Sequence, residues 1–414
     1  MLVFQSALGF IAFALIAWCL SENRRQPPVR IIVVGMLGQL LLALVMLKFP
    51  LFTGVFTWLN RGVQAIQEAT LAGTSFVFGF VGGGSPPFET THPDSGFILA
   101  FQALPLVLVI SALSSLLFYW GLLPKVVKVF SWGLEKTLKI GGAEGLGVSA
   151  DIFVGMVEAP LLIRPYVHRM TRSELFTLMT CGMATIAGTV MVLYAGILEH
   201  TIENVMGHIL IASIIAAPAS IVTAKLMIPE TRELTPGELK APEETVSAMD
   251  AITKGTVQGL ELFLNIIAMI IVLVALVHLV NQILGLAPDV SAEPLTLQRV
   301  FGWIMAPVVW LMGVPWSEAR IAGALMGTKA VLNEFIAYVD MSRIPAGQLS
   351  PRTLLIMTYA LCGFANPGSL GIMIGGYSGM APERRREIVS LGFKALISGT
   401  LANCMTGAVV GMLM

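Results

Sequence analysis

Charged side chains are scarce in this chain. Asp, Glu, Lys and Arg make up 12% of its 414 residues, about half of the ~25% usual in a water-soluble domain. Apolar residues supply 56%, which leaves too little polar surface to clothe a soluble body. The chain therefore falls in the integral membrane class. Its 25 basic residues equal its 25 acidic ones, so it lacks the cationic excess that a nucleic-acid partner requires. Cysteine is sparse too. Cys19, Cys181, Cys362 and Cys404 all fall in apolar segments without CxxC spacing or nearby histidine pairs, and read as small buried apolar residues. No Ser/His/Asp arrangement or metal motif occurs, and the five histidines show no ligand spacing. Chemistry on a substrate has no visible machinery, so neither an enzyme nor a cofactor is expected. Gly82-Gly83-Gly84 lacks the Lys-Ser/Thr of a phosphate loop and reads as an external turn. The N-terminus has no basic leading region and no small-residue cleavage signature; it reads as a retained first span.

What the chain does have is long apolar runs. A span needs about 20 mostly apolar residues, and eight segments qualify: 2–20, 30–48, 97–120, 174–197, 206–228, 258–284, 353–380 and 388–413. An even number puts both termini on one side. Lys and Arg divide eighteen to five between the two sets of connections, the rich set including Arg24, Lys125, Arg164, Lys225 and Arg384. That set belongs in the cytoplasm, so both termini are expected outside a cell inner (plasma) membrane. Arg384, Arg385 and Arg386 read as charges that fix this orientation.

Two regions, 124–170 and 297–340, do not fit as simple spans. Each carries a carboxylate stranded in apolar sequence: Glu158 with Asp151 in the first, Glu334 with Lys329 in the second. A charge at the bilayer centre costs about 2.5–3.5 kcal/mol on insertion scales, so such residues face a cavity or a partner. Both regions must begin and end on one side, or the charge asymmetry fails. They are predicted to be re-entrant hairpins, tolerated only when packed in protein or lining water. Segment 124–140 spaces its lysines along one face and is predicted to lie in the membrane interface.

An internal repeat runs through these regions. Val129-Phe130-Ser131-Trp132 is echoed by Val300-Phe301-Gly302-Trp303. Each hairpin leads into a span interrupted near its middle, at 181–188 and at 363–369. The first unit starts from the cytoplasm and the second from outside, which makes the repeat inverted. Paired interrupted segments in inverted halves mark a transporter's binding site. The predicted fold is thus all-α and membrane-embedded, with eight transmembrane helices, two re-entrant hairpins and interfacial helices. Residues 1–120 would hold scaffold spans 1–3 with an interfacial segment. Residues 121–230 would form the first repeat (an interfacial helix, hairpin 1 and spans 4–5), 231–290 a cytoplasmic linker with span 6, and 291–414 the second repeat with hairpin 2 and spans 7–8.

The polar residues at these interruptions suit a neutral, hydroxyl-rich solute. Glu158-Ala159-Pro160 sits at the turn of the first hairpin and Asn333-Glu334 at the matching place in the second. Asn366-Pro367-Gly368-Ser369 breaks the following span and adds an amide and a hydroxyl. Carboxylates accept from hydroxyls, Asn donates and accepts, and Ser does either. Asp151 lies two helical turns before Glu158. With Thr185 and carbonyls freed at 185–186 it can cage a small hard cation such as sodium, or carry a proton once desolvated. Both readings stay open.

Taken together, the motifs resemble the concentrative nucleoside transporters. The resemblance runs from the first span to the last and is densest at 155–160 (GMVEAP), 327–335 (GTKAVLNEF), 360–366 (ALCGFAN) and 394–403 (KALISGTLAN). It implies a trimeric elevator-type secondary transporter, with a scaffold of early spans plus the sixth and a mobile domain bearing both hairpins and the broken spans. Carried over by position, Glu334, Asn366 and Ser369 would bind the ribose, with Asn333 adjoining and Phe364 beside the sugar. Glu158 would act near the nucleobase, with Met156, Val157 and Val190 lining its pocket. The cation site would use Asp151, Thr185 and the carbonyls of Val154 and Ile186. Its partners would be a nucleoside, a coupling sodium or proton, the lipid bilayer and two further copies of the chain.

Two departures from the family pattern bear on specificity. The family commonly reads Gly-Gln-Thr-Glu where this chain has Gly155-Met156-Val157-Glu158. Losing the Gln and Thr removes two hydrogen-bond partners of the base, worth about 0.5–1.5 kcal/mol each, so a different nucleoside-like or hydroxylated solute is an alternative cargo. Sodium-coupled members carry Asn where this chain has Asp151. A membrane binding or sensing protein without flux is the other alternative. A channel fits less well, because hairpin-held carboxylates suit alternating access.

Overall fold

The computed structural model describes residues 2–89, 97–156, 159–199, 201–237, 245–288 and 294–414. Its elements among these residues are helical throughout. Two apolar helices come first, α1 (Leu2–Cys19) and α2 (Val29–Lys48). Next is α3 (Pro50–Phe78), amphipathic and started by a proline in its first turn. The short α4 (Leu99–Gln102) runs into α5 (Leu106–Tyr119), and α6 (Leu122–Leu138) carries its lysines on an exposed side.

From α6 onward the elements fall into two series. In the first pass α6 leads to α7 (Gly142–Asp151), then the single turns α8 (Ala159–Leu162) and α9 (Arg164–Val167). These are followed by α10 (Arg172–Ala184) and α11 (Gly188–Leu198), separated by a break, and by the long α12 (Val205–Met227). After α13 (Ala248–Leu284), the second pass runs through α14 (Leu297–Leu311) and the packed pair α15 (Ala319–Val331) and α16 (Glu334–Ser342). It closes with α17 (Pro351–Leu361), α18 (Pro367–Met380) across a second break, and α19 (Arg385–Leu413). The Val-Phe-x-Trp echo falls on α6 and α14, the helices that open the two passes.

Among the described residues, seven helical stretches are long and apolar enough to cross a membrane. They match seven of the eight expected spans; the helix expected at 258–284 begins earlier, at Ala248. The eighth, 353–380, is split into α17 and α18, each too short to qualify alone. Among these seven stretches the most buried are α10 with α11, α12 and α19, whereas only 6% of the spanning window of α13 is buried. Extensive packing joins α1 to α19, α2 to α12 and α5 to α13.

Helix ends are set by local chemistry. Thr171 and Glu174 form a reciprocal capping box at the start of α10, which satisfies two N–H groups that the helix leaves open. Glu174 also accepts from the Thr235 amide at 2.8 Å and hydroxyl at 2.7 Å, so the linker after α12 is tied to the same turn. Arg384, read from sequence as an orienting charge, has a structural role. Its Nη1 donates to the carbonyls of Val167 and Met170, both at 2.7 Å, closing the end of α9. One cysteine departs from expectation: Cys19 is exposed at the end of α1, while Cys181, Cys362 and Cys404 are buried as read.

An ion pair also lies inside the protein. Lys225 Nζ on α12 sits 2.9 Å from Glu144 Oε1 on α7, with the two side chains 1% and 0% exposed. Lys225 also donates to Ser173 Oγ at 3.2 Å. Removing one member of such a pair strands a buried charge, at about 3–5 kcal/mol, whereas replacing both with apolar groups is often neutral. Lys225→Met is therefore expected to lower the melting temperature in detergent, and Lys225→Met/Glu144→Leu to recover most of the loss. Equal losses in the single and double variants would contradict the electrostatic account.

Candidate functional site

The two helix breaks meet inside the molecule. At the first, Thr185 and Ala187 take extended backbone between α10 and α11. At the second, Cys362 and Asn366 do the same between α17 and α18. Gly363 lies between them at φ +157°, and a Cβ there would sit 2.7 Å from the Ala184 carbonyl oxygen. Only glycine allows that approach. The Phe364 amide donates to the Thr185 carbonyl at 3.3 Å, a main-chain bond from one break to the other.

A cavity of about 160 Å³ opens beside this junction. Its walls include Met156, Val190, Asn333, Glu334, Phe364, Asn366 and Ser369. Seven of the nine substrate-site residues expected from sequence are thus brought together. The other two, Val157 and Glu158, lie outside the described residues.

Glu334 is the chemical centre of the cavity. It opens α16 with only 4% of its surface exposed. Asn333 caps that helix, its Oδ1 accepting from the Ile336 amide at 2.9 Å, and so fixes where the carboxylate stands. Tyr194 donates to Glu334 Oε1 at 2.6 Å, and Asn366 Nδ2 donates to Oε2 at 3.0 Å. Asn366 in turn caps α18, accepting from the Ser369 amide at 2.8 Å. Two helix starts and one tyrosine therefore hold a single carboxylate. A carboxylate offers about four lone-pair sites, more than these two donors fill.

Several wall residues were not anticipated. Tyr194 lies one helical turn beyond Val190 in α11 and packs on Tyr338 with ring centroids 5.0 Å apart. Its signal was a lone hydroxyl in an apolar run. Leu262, Asn265, Ile266 and Met269 of α13 close another side. Asn265, an amide within an otherwise apolar stretch, is a clue the sequence does carry.

The expected cation residues gather separately, at the first break. Asp151 ends α7 and is 1% exposed, Thr185 is 1% exposed and Ile186 is fully buried. Thr185 Oγ1 lies 3.2 Å from the Asp151 carbonyl and 2.9 Å from that of Cys181. The Val154 amide bonds to the Ala150 carbonyl at 2.8 Å, continuing α7, and Gly155 then turns the chain at φ +111°. These are hard oxygen donors in a dry setting, the chemistry a small monovalent cation or a proton requires.

The fold and this cavity define a multi-pass helical membrane protein with an internal polar solute site. Comparison with known proteins narrows that class. Residues 208–411 match the family model described as Na+ dependent nucleoside transporter C-terminus, residues 8–81 its N-terminal counterpart, and residues 100–201 a model described as nucleoside recognition. The chain belongs to the Na+-dependent (concentrative) nucleoside transporter family. It is 38% identical to the transporter YutK of Bacillus subtilis, with 99% of both chains covered. It is 33% identical to the nucleoside permease NupC of Helicobacter pylori, over 98% of this chain and 97% of that one. Among solved structures it is similar to CNTnw in an inward-facing substrate-bound state, with TM-score 0.90, 35% identity and coverage of 100% and 98%. These relatives are transporters rather than enzymes.

The capping geometry gives a stability test. Asn366→Ala removes both the α18 cap, worth about 1 kcal/mol, and the amide that satisfies Glu334 Oε2, worth about 1–3 kcal/mol for a buried group. A lowered melting temperature is expected, with a larger drop than for Ser369→Ala. An unchanged value for Asn366→Ala would show that neither bond carries weight.

Proposed function

We propose that this chain imports nucleosides into the cell, driven by a coupled cation, through elevator-type alternating access in the inner membrane. The observation that carries this reading is Glu334, buried in the cavity and held by Tyr194 and Asn366 with acceptor capacity to spare. The pair of hydroxyls on a ribose matches that capacity. Ser369 and Asn366 supply further polar contacts at the same wall, and Phe364 offers a flat apolar surface for the sugar. The nucleobase lies toward Met156, Val157, Glu158 and Val190. Asp151, Thr185 and the carbonyls of Val154 and Ile186 hold the cation.

The architecture that goes with this reading has eight membrane crossings and two re-entrant hairpins in an inverted repeat. The two series of elements, from α6 to α12 and from α14 to α19, support it. The excess of Lys and Arg on one set of connections supports a cytoplasmic placement of that set, with both termini outside. In this scheme residues 121–230 and 291–414 carry the solute, residues 1–120 and 231–290 serve as scaffold, and three copies assemble. The largely exposed, apolar α13 gives a scaffold surface for lipid or for neighbouring copies.

A second reading keeps the fold and changes the cargo. Met156 presents a thioether to the cavity, where an amide would recognise a polar base edge. A base-modified nucleoside or another hydroxylated solute suits that wall.

Proteoliposomes decide the matter. The protein should accumulate at least one labelled nucleoside when an inward sodium or proton gradient is imposed, and a competition panel should rank the bases. Absence of accumulation for every nucleoside under both gradients would refute the reading. Glu334→Ala is expected to abolish uptake, since it removes the acceptor for the ligand's hydroxyls. Asp151→Asn is expected to shift uptake toward sodium dependence and away from dependence on pH. Indifference of the coupling to that exchange would remove Asp151 from the cation site.

A further inference from the structure

Two residues that the proposed cycle leaves unused bind both breaks at once. Asn403 lies on α19, fully buried, and its Nδ2 donates to the Ala184 carbonyl at 2.7 Å and the Cys362 carbonyl at 2.8 Å. Ala184 ends α10 at the first break, and Cys362 follows α17 at the second. The Asn403 Oδ1 accepts from Lys329 Nζ at 2.8 Å, and Lys329 donates again to the Ala360 carbonyl at 2.9 Å. Lys329 is 1% exposed. A four-bond bracket thus spans the chain segments that hold Thr185 on one side and Phe364 and Asn366 on the other.

The two hairpins also treat their breaks differently. The first helix of the first hairpin, α7, brings Asp151 to the carbonyl end of α10. The first helix of the second, α15, brings Lys329 to the carbonyl end of α17. Helix C-termini favour positive charge. At the second break that charge is covalently attached to the chain; at the first, under the cation assignment of the proposed function, it comes from solution.

We propose that Lys329 and Asn403 are positioning residues that couple the cation site at Thr185 to the solute cavity at Phe364, with the Lys329 ammonium standing as the resident cation of the second break. The inference rests on the cation and solute assignments made under the proposed function. Ordering the Thr185 segment by a bound cation fixes Ala184, and through Asn403 it fixes Cys362 and the Phe364–Asn366 turn that shapes the cavity. Coupling is reciprocal, because each ligand must change the other's affinity by the same factor.

The test uses the full-length protein and the tightest-binding labelled nucleoside from the competition panel. Its dissociation constant is measured in sodium and in choline buffers, at two pH values, for the unaltered chain and for Asn403→Ala, Asn403→Asp and Lys329→Gln. Asn403→Asp keeps the shape and the bond from Lys329 but cannot donate to Ala184 and Cys362. In the unaltered protein the cation should tighten nucleoside binding by about tenfold or more. In the variants that ratio should collapse toward one, while the cation alone still raises the melting temperature because its own ligands are intact. Any nucleoside-binding variant that keeps the original ratio overturns the proposal. Should Asn403→Ala misfold, the isosteric Asn403→Asp and the separately placed Lys329→Gln give the same readout. A lack of cation dependence in the unaltered chain would instead strike the underlying assignment, so the two failures are distinguishable.

Discussion

A broken helix in the membrane interior must satisfy its own backbone ends, because no water reaches them. This chain has two such breaks, and a group of its buried polar side chains answers to them. Thr185 bonds back to the Cys181 and Asp151 carbonyls. Asn333 and Asn366 cap the helices that restart the chain. Asn403 and Lys329 take up the carbonyls left open at Ala184, Ala360 and Cys362. Were the two spans continuous, Asn366 and Asn403 would lose the backbone partners they serve. The polar centre is therefore a consequence of interruption, and the interruption is what makes room for a solute.

The same bonds give the centre its rigidity. Glu334 alone on a flexible segment would be expensive to bury and free to turn away. Here its helix start is fixed by Asn333, and its oxygens are held by Tyr194 and Asn366, which belong to other elements. Those donors stabilise the carboxylate without exhausting it. Under the proposed function, a solute arriving at Glu334 would meet an acceptor whose position is already determined, so little ordering would remain to be done on binding. Gly363 contributes in the opposite sense: by having no side chain it lets Asn403 and the Ala184 carbonyl close in behind the Phe364 turn.

Composition and periodicity made the apolar helices legible, and seven stretches meet the length and hydropathy of a span. The breaks were legible because Pro367, Gly363 and Gly188 are written into the chain. The polar residues beside them were found for the same reason: an amide or carboxylate in an apolar run has few places to go. Tyr194 escaped notice because a tyrosine in a membrane helix is unremarked unless its partner is known, and the partner, Glu334, is 140 positions away. Asn265 was readable as an amide in an apolar run, yet nothing in local sequence says that α13 turns that face to the cavity. The start at Ala248 was missed because α13 extends beyond its apolar stretch, where hydropathy carries no signal, and α3 was foreseen only as an interfacial segment without bounds. Cys19 was misread by assuming that an apolar span is buried on every side, whereas α1 packs on α19 along one face and leaves the other exposed.

The placement of charge at the centre bears on why a cation should travel with a neutral solute. Among the described residues, Asp151 and Glu334 are buried carboxylates near the two breaks, and Lys329 is the one ammonium bonded there. Under the proposed function, a monovalent cation or a proton held by the oxygen donors of Thr185 and Asp151 would stand at the first break as the Lys329 ammonium stands at the second, so each break would carry one positive charge beside its freed carbonyls.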